Sequence, residues 1–495
     1  MDKYYIGYDL GSSFIKVALV NAATGKNLAT STYPETEMDI LCPEEGWAEQ
    51  DPDLWWDYVC KATKRVISDS KIDASNIIGI GISYQMHGLV IVDEQGKSLR
   101  NAIIWCDSRA VEIGDLAYKE LGRAYCDTHL LNSPGNFTAS KLKWVKEHEP
   151  DIFKKVKKYM LPGDYIAYRL TGKINTTKNG LSEAVLWDFK NDCVADKLLT
   201  YYGISNKLTP DIVENFKVQS VVNAEADSIT GIPVGTPITY RSGDQPNNAL
   251  ALNILNHGEI AATGGTSGVL YEVAGIDEIT ETSRINNFLH VNSKQSNPKI
   301  GKLLCINGAG IQYRWIKNIT GAASYEAMNS KAAGINIGSD GVFILPFGNG
   351  AERMLSNNNV GAHISNFNFN IHDDGHLYRA ALEGIAFAFV YGMRISNTKF
   401  TDIKVIRAGN DNLFRSEIFS TTLATLINHE IEIYDTTGAV GAARACIIFE
   451  HSFETFGALV SDNDYVKTYE PVSESAAYEN AYALWEAQLN KKLKT

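Results

Sequence analysis

No apolar run in the 495-residue chain approaches the roughly 20 residues that a helix needs to cross a bilayer, so a membrane-spanning role is not expected. Positive charge is in deficit: 46 Lys and Arg stand against 58 Asp and Glu, a net −12. Nucleic acid needs a basic field and is excluded as a main partner, whereas a small phosphorylated ligand needs only a local site. Cysteine pairs are missing. Cys42, Cys60, Cys106, Cys126, Cys193, Cys305 and Cys446 form no CxxC and are odd in number. A chain this long needs no covalent staples, so they read as reduced thiols, mostly in the core of a cytoplasmic protein. The start, MDKYYIGYDLG, lacks the basic-then-apolar plan of a secretory signal. Familiar loops also fail. GKS at Gly96–Ser98 has Ile91 where a Walker loop needs glycine. HDDGH, His372 to His376, lacks the zinc-binding HExxH plan and reads as a surface turn. GGTSG is no nucleophile elbow, because Gly268 follows Ser267 directly.

What is present is an alternation of strands and helices. YYIGYDL, FIKVALVN and NLATSTY read as three strands joined by GSS and ATGK turns. DPDLWWDYVCKATKRVISDS has helical spacing, with Leu54, Tyr58, Ala62 and Val66 on one face, Asp51 as N-cap and Pro52 at the first helical position. NIIGIGIS is a buried strand. GEIAATGG and GVLYEVAG, joined by Thr266-Ser267, repeat the opening device of strand, small-residue turn, strand. The expectation is an α/β protein of two related lobes, residues 1–245 and 246–495. ESAAYENAYALWEAQLNKKLK closes the chain as an amphipathic packing helix.

Several motifs carry chemistry. DLGSS puts Asp9 at the end of a buried strand before Gly11, Ser12 and Ser13, small residues whose backbone and hydroxyls can approach phosphate. A carboxylate beside polyphosphate commonly holds Mg²⁺ through water. TGGTSG, Thr263 to Gly268, has the same content. Each alone is explained as a hairpin turn; two of them, one per half, point to a phosphate clamp. TTGAVGAARA, Thr436 to Ala445, fits close helix packing as well as ligand contact, and RAGNDNLFRS, Arg407 to Ser416, fits a nucleotide cradle as well as an N-cap loop. YQMHG follows a buried strand, where Met86 can pack on a carbon face and His87 can donate or accept. In WCDSRA, Trp105, Asp107 and Arg109 alternate, which aims them together if the segment is extended, as a sugar platform or as a Trp anchor with an ion pair. SGDQPNNA, Ser242 to Ala249, holds Asp244 at the start of a helix, whose N-terminus should leave it charged at neutral pH.

The order of these motifs resembles the FGGY family of carbohydrate kinases, and within it the xylulokinases. The resemblance runs from DLGSS to TGAVGAARA, through QMHG, IIWCDSRA, NFTASKLKWVKEHEP (Asn136 to Pro150), SGDQPNNA, GGTSG, LPFGNGAER (Leu345 to Arg353) and RAALEGIAF (Arg379 to Phe387). It implies two ribonuclease H-like lobes of the actin, hexokinase and Hsp70 type with an active-site cleft between them, sugar on the N-terminal side and nucleotide on the C-terminal side. It implies transfer of the ATP γ-phosphoryl group to a ketopentose, D-xylulose O5 first, with Asp244 as general base. Gln85, Met86, His87, Trp105, Asp107, Arg109 and Asp244 would bind the sugar. Gly11, Ser12, Ser13, Lys16, Gly265, Thr266, Ser267, Gly409, Asn410 and Asn412 would hold ATP, with Asp9 and Asp244 on Mg²⁺. Family members are often homodimers. The chain departs from the family at Ala408, Asn410 and Asp411, where more glycine is usual, at Tyr84, and at Gln245-Pro246-Asn247. Kinases of L-ribulose, gluconate or glycerol are the alternative substrates, and an actin- or Hsp70-like ATPase is the alternative class, which has no use for YQMHG or WCDSRA.

Overall fold

Burial on both faces explains the apolar runs at the start of the chain. Tyr5, Ile6, Tyr8 and Leu10 of strand Tyr4–Leu10 are all inaccessible, as are Ile80 and Ile82 of strand Ile77–Tyr84. These are the two middle strands of a mixed sheet. In the structure, a computed structural model that describes residues 2–494, the chain divides into two units. The first holds residues 1–253, 288–300 and 436–463, and the second holds 254–287, 301–435 and 464–495.

The sheet of the first unit runs in the order Ser220–Val221, Pro237–Gly243, Ile77–Tyr84, Tyr4–Leu10, Ile15–Asn21, Asn27–Tyr33. The three N-terminal strands pair antiparallel, whereas Ile77–Tyr84 and Pro237–Gly243 join in parallel. The second unit repeats this plan. Strands Ile431–Tyr434, Val405–Gly409, Glu259–Gly264, Gly268–Gly275 and Lys299–Ile306 match Pro237–Gly243 through Asn27–Tyr33 in that order, parallel from Ile431–Tyr434 to Glu259–Gly264 and antiparallel between Glu259–Gly264 and Gly268–Gly275. The repeated strand–turn–strand device in the sequence is therefore the start of two sheets with one topology.

The segment 436–463 returns to the first unit, which an even split at 245/246 does not anticipate. The reason lies in helix Gly438–Glu450. It packs its small residues flat on the middle of the N-terminal sheet at Gly7 and Gly81, where an added Cβ would come within 2.0 Å of the Ala439 carbonyl oxygen and 1.9 Å of the Ala442 carbonyl oxygen. Its Gly and Ala residues thus serve close packing. Tyr5, Ala18, Val20, Ala439, Ala443 and Ile447 form the shared core.

Other expectations needed adjustment. Asp51 caps helix Pro52–Ser70, with Pro52 in its first turn, but the buried stripe is Trp55, Val59, Ala62 and Val66, and Leu54 faces outward. Trp55 and Val59 replace Leu54 and Tyr58 in the buried stripe, while Ala62 and Val66 stay in it. HDDGH is a helix start rather than a surface turn: Asp373 accepts from the amides of Gly375 and His376 and caps Asp374–Ile395. The thiols are all free, but only Cys60, Cys126 and Cys446 are buried; Cys42, Cys106 and Cys193 are exposed and Cys305 is partly covered. The C-terminal helix Ser475–Lys492 buries Tyr478, Tyr482, Trp485 and Leu489 in the core of the second unit. No helix among the described residues is long and apolar enough to cross a membrane.

Candidate active site

Parallel strands in such sheets end on one edge, and their ends collect polar residues. Asp9, Ser83 and Asp244 lie at or just beyond the ends of adjacent strands in the first unit. Ser83 Oγ donates to Asp9 Oδ1 at 3.0 Å. Lys16 pairs with Asp9 across the hairpin, and its charge favours the ionised carboxylate. Burial wins nevertheless, so the Asp9 carboxyl lies above its ordinary range. The turn after it is closed by Gly11 N to the Phe14 carbonyl at 3.1 Å, and Ser12 Oγ accepts from the Trp105 indole at 3.3 Å.

Asp244 opens helix Asp244–Ala251 and accepts from the backbone and side chain of Gln245. These donors and the helix start favour the charged form. Crowding by protein atoms, and then the neighbouring Asp9 charge, outweigh them and raise its pKa from 3.8 to about 7. The strand residue before it, Gly243, has no room for a side chain. A Cβ there would lie 2.2 Å from Glu183 Oε2 and 2.5 Å from Met86 Cγ. Met86, some 160 residues away in sequence, thus packs against the residue that precedes Asp244.

His87 follows in a left-handed conformation, φ 60°. Its Nδ1 is 2.9 Å from the Glu183 carbonyl oxygen, which can only accept, so Nδ1 carries the proton. The ring packs edge-on against Phe137 at 4.8 Å and beside Phe288 at 5.3 Å. Gln85 turns inward: its amide Nε2 donates to Gln50 Oε1 at 3.4 Å.

WCDSRA is a turn, not an extended segment, because Asp107 N donates back to the Ile104 carbonyl. Its three residues therefore do not face one way. Trp105 is 53% exposed, whereas Asp107 and Arg109 are buried. The Arg109 guanidinium donates to both Asp107 oxygens at 2.7–3.0 Å, reaches Glu49 at 2.8 Å and stacks on Trp47 at 3.9 Å. Asp107 also accepts from Ala48 N at 2.6 Å. These two side chains brace the loop, and Trp105 is the one of the three that is exposed.

In the second unit, Gly265, Thr266 and Ser267 form the turn between strands Glu259–Gly264 and Gly268–Gly275, with Thr266 exposed. The Thr266 carbonyl accepts from Ile311 N at 2.9 Å, which ties the turn to the start of helix Ala309–Thr320. Gly409, Asn410 and Asn412 lie at the end of strand Val405–Gly409 and in the loop after it. Asp411, within that loop, accepts from Gly264 N at 2.6 Å, so the two turns are joined. Burial lifts its carboxyl to about 6.

Sequence reasoning did not single out Ser83, Lys141, Glu183 or Asp411 as site members. Ser83 carried a signal, as the polar end of an apolar strand. Lys141 lay within a quoted segment. Glu183 carried none, since it meets Gly243 only through the fold.

The FGGY family of carbohydrate kinases, N-terminal domain, matches residues 4–251. The xylulose kinase of Bacillus subtilis (strain 168) is 29% identical over 443 residues, covering 86% of each chain. The L-xylulose/3-keto-L-gulonate kinase of Escherichia coli (strain K12) is 26% identical over 472 residues, 93% of this chain and 91% of that protein. The crystal structure of xylulose kinase from Rhodospirillum rubrum shares the fold, with a TM-score of 0.86, 23% identity and full coverage of both chains. Two sheets of one ribonuclease H-like topology, a carboxylate at the end of the first strand and a matched N-terminal domain agree: the chain belongs to the FGGY family of carbohydrate kinases.

Proposed function

We propose that this sugar kinase phosphorylates a ketopentose, D-xylulose at O5 before others, with ATP as donor and Asp244 as general base. One observation carries the reading: the QMHG loop and Asp244 converge at Gly243, so a group suited to hold a sugar's carbon face lies beside a group suited to take a hydroxyl proton. Phosphoryl transfer runs through a loose transition state in which positioning and charge stabilisation dominate. Met86 packs against the sugar's carbons, and His87, its Nδ1 already committed to Glu183, turns Nε2 to a hydroxyl. Trp105 offers an aromatic face. Asp244 aims the attacking oxygen and accepts its proton. A pKa near 7 makes it a stronger base than an ordinary carboxylate while leaving about half of it ionised at neutrality.

The donor set fits Mg²⁺. Asp9 and Asp244 raise one another's cost of ionisation, and a divalent cation between carboxylates and phosphates relieves that cost. When bound, Mg²⁺ would be held by Asp9 and Asp244 and would neutralise charge on the phosphate oxygens. Gly11 to Ser13 and Gly265 to Ser267 supply the small-residue turns for phosphate, and 409–412 supplies the loop for the nucleoside.

L-xylulose is the second reading, because a relative of similar identity is named for it. A coupled ADP-release assay over D-xylulose, L-xylulose, L-ribulose, gluconate and glycerol separates them. The highest kcat/KM is expected with D-xylulose. Preference for gluconate or glycerol overturns the ketopentose reading, and ATP turnover indifferent to every sugar overturns the sugar site.

A further inference from the structure

Lys141 has no exposed surface, yet it is a lysine. Burying an ammonium group is costly, and an apolar residue would fill the same space at lower cost if space were all that mattered. It lies one turn into helix Thr138–His148, and its Nζ donates to the carbonyl oxygens of His87 at 3.0 Å and Ile104 at 2.8 Å. These two carbonyls belong to the two loops that carry the sugar-facing residues, Met86-His87 and Trp105. The same helix start adds a third tie, Thr138 Oγ1 to the Gly88 carbonyl at 3.3 Å.

We propose that Lys141 is a positioning residue of the sugar site, which clamps the 85–88 loop to the 104–107 turn and holds His87 in its left-handed conformation. This rests on the ketose-kinase reading above. A non-glycine residue at φ 60° persists only when its surroundings fix it. Its carbonyl is held by Lys141, its Nδ1 by the Glu183 carbonyl, its backbone amide by the Glu183 carboxyl, and its ring by Phe137 and Phe288. Removal of the first leaves a backbone that can relax out of the left-handed region and swing the imidazole. The charged groups around Nζ are Asp107 and Arg109, which are paired with each other, together with the Cys106 thiol. Burial pulls Lys141 down to about 7. The loss of one proton leaves two N–H donors for two carbonyls, so the clamp survives in either state.

The test uses Lys141→Met, which keeps the length and removes the donors, and Lys141→Gln, which keeps a shorter donor. For Lys141→Met the ketose KM is expected to rise at least tenfold while the ATP KM changes less than twofold; Lys141→Gln should show a smaller rise. A role in stability alone would lower the melting temperature and the active fraction but leave the ketose KM of the folded enzyme unchanged, and that result overturns the proposal. Long-range ¹H–¹⁵N spectra of the His87 imidazole give a readout without substrate. The wild type should show the Nδ1–H form, and Lys141→Met should shift it. An unmoved His87 signal also overturns the proposal. If the wild-type enzyme phosphorylates no ketose, the functional reading fails by itself, and the His87 signal still decides the clamp.

Discussion

Asp244 sets stability against activity, and the conflict can be measured. In the unfolded chain its carboxyl ionises near 3.8; in the folded protein it ionises near 7. Between those values the folded state holds the extra proton, so stability is present below about pH 4 and is lost as pH rises towards 7. At full weight the difference corresponds to about 4 kcal/mol. Asp244 keeps partial access to solvent, which reduces that to about 1–3 kcal/mol. Asparagine has nearly the same shape and cannot ionise. Asp244→Asn is therefore expected to melt a few degrees above the wild type at pH 8, measured without nucleotide or divalent metal, to keep only part of this advantage at pH 5, and to lose it below about pH 4, where Asp244 is protonated in the folded and the unfolded chain alike. The same variant should lose roughly 10²–10⁴ of kcat, the range for removal of a general base. The wild-type kcat/KM should rise with pH as Asp244 ionises and level off at or below about 7, since Mg²⁺ at the site would favour the ionised carboxylate. Equal stability of variant and wild type at pH 8, or an equal gain at pH 5, would refute the electrostatic argument. An active Asn variant would remove Asp244 from the chemistry whatever its stability.

Gly243→Ala places a methyl group within 2.5 Å of both Glu183 Oε2 and Met86 Cγ, so the sugar kcat/KM should fall at least tenfold with the ATP KM nearly unchanged, as initial rates over both substrates will show. Gly81→Ala meets the Ala442 carbonyl oxygen at 1.9 Å, a backbone atom that cannot give way; a loss of about 3 kcal/mol or more in urea denaturation is expected. Asp411→Ala breaks the 2.6 Å tie between the 409–412 loop and Gly264 and should raise the ATP KM about three- to tenfold, while the sugar KM stays put; a change in the sugar KM alone would place Asp411 elsewhere in the mechanism.

Much of this is legible in the amino-acid sequence. The strand ends that carry Asp9 and Asp244 follow from local signals, apolar runs closed by Gly, Ser and Asp, and the order of the motifs supplied the family. The two-unit plan followed from one device used twice. Pattern alone could not supply partners distant in sequence. The alternation of Trp105, Asp107 and Arg109 implied a shared face, but a single backbone bond from Asp107 N to the Ile104 carbonyl makes the segment a turn and sends two of the three into an ion pair with Glu49. The return of 436–463 to the first unit depends on how closely Ala439 and Ala442 approach Gly7 and Gly81, and a run of small residues is equally compatible with a ligand loop.

The sharpest divergence concerns charge. A helix start argues for an ionised Asp244, and the structure supplies that helix. Such a dipole is worth at most about 1–2 kcal/mol, however, and it competes here with desolvation and a second carboxylate, Asp9, two strands along the same edge. The parallel arrangement that gathers strand ends also gathers their acids, so the feature that builds the site raises the pKa of its proposed base. On the proposed mechanism, a carboxylate held near 7 needs no histidine to act at neutral pH, which leaves His87 for the sugar and gives the groups that fix it, the Glu183 carbonyl and the Lys141 side chain, an effect on the reaction without contact with it.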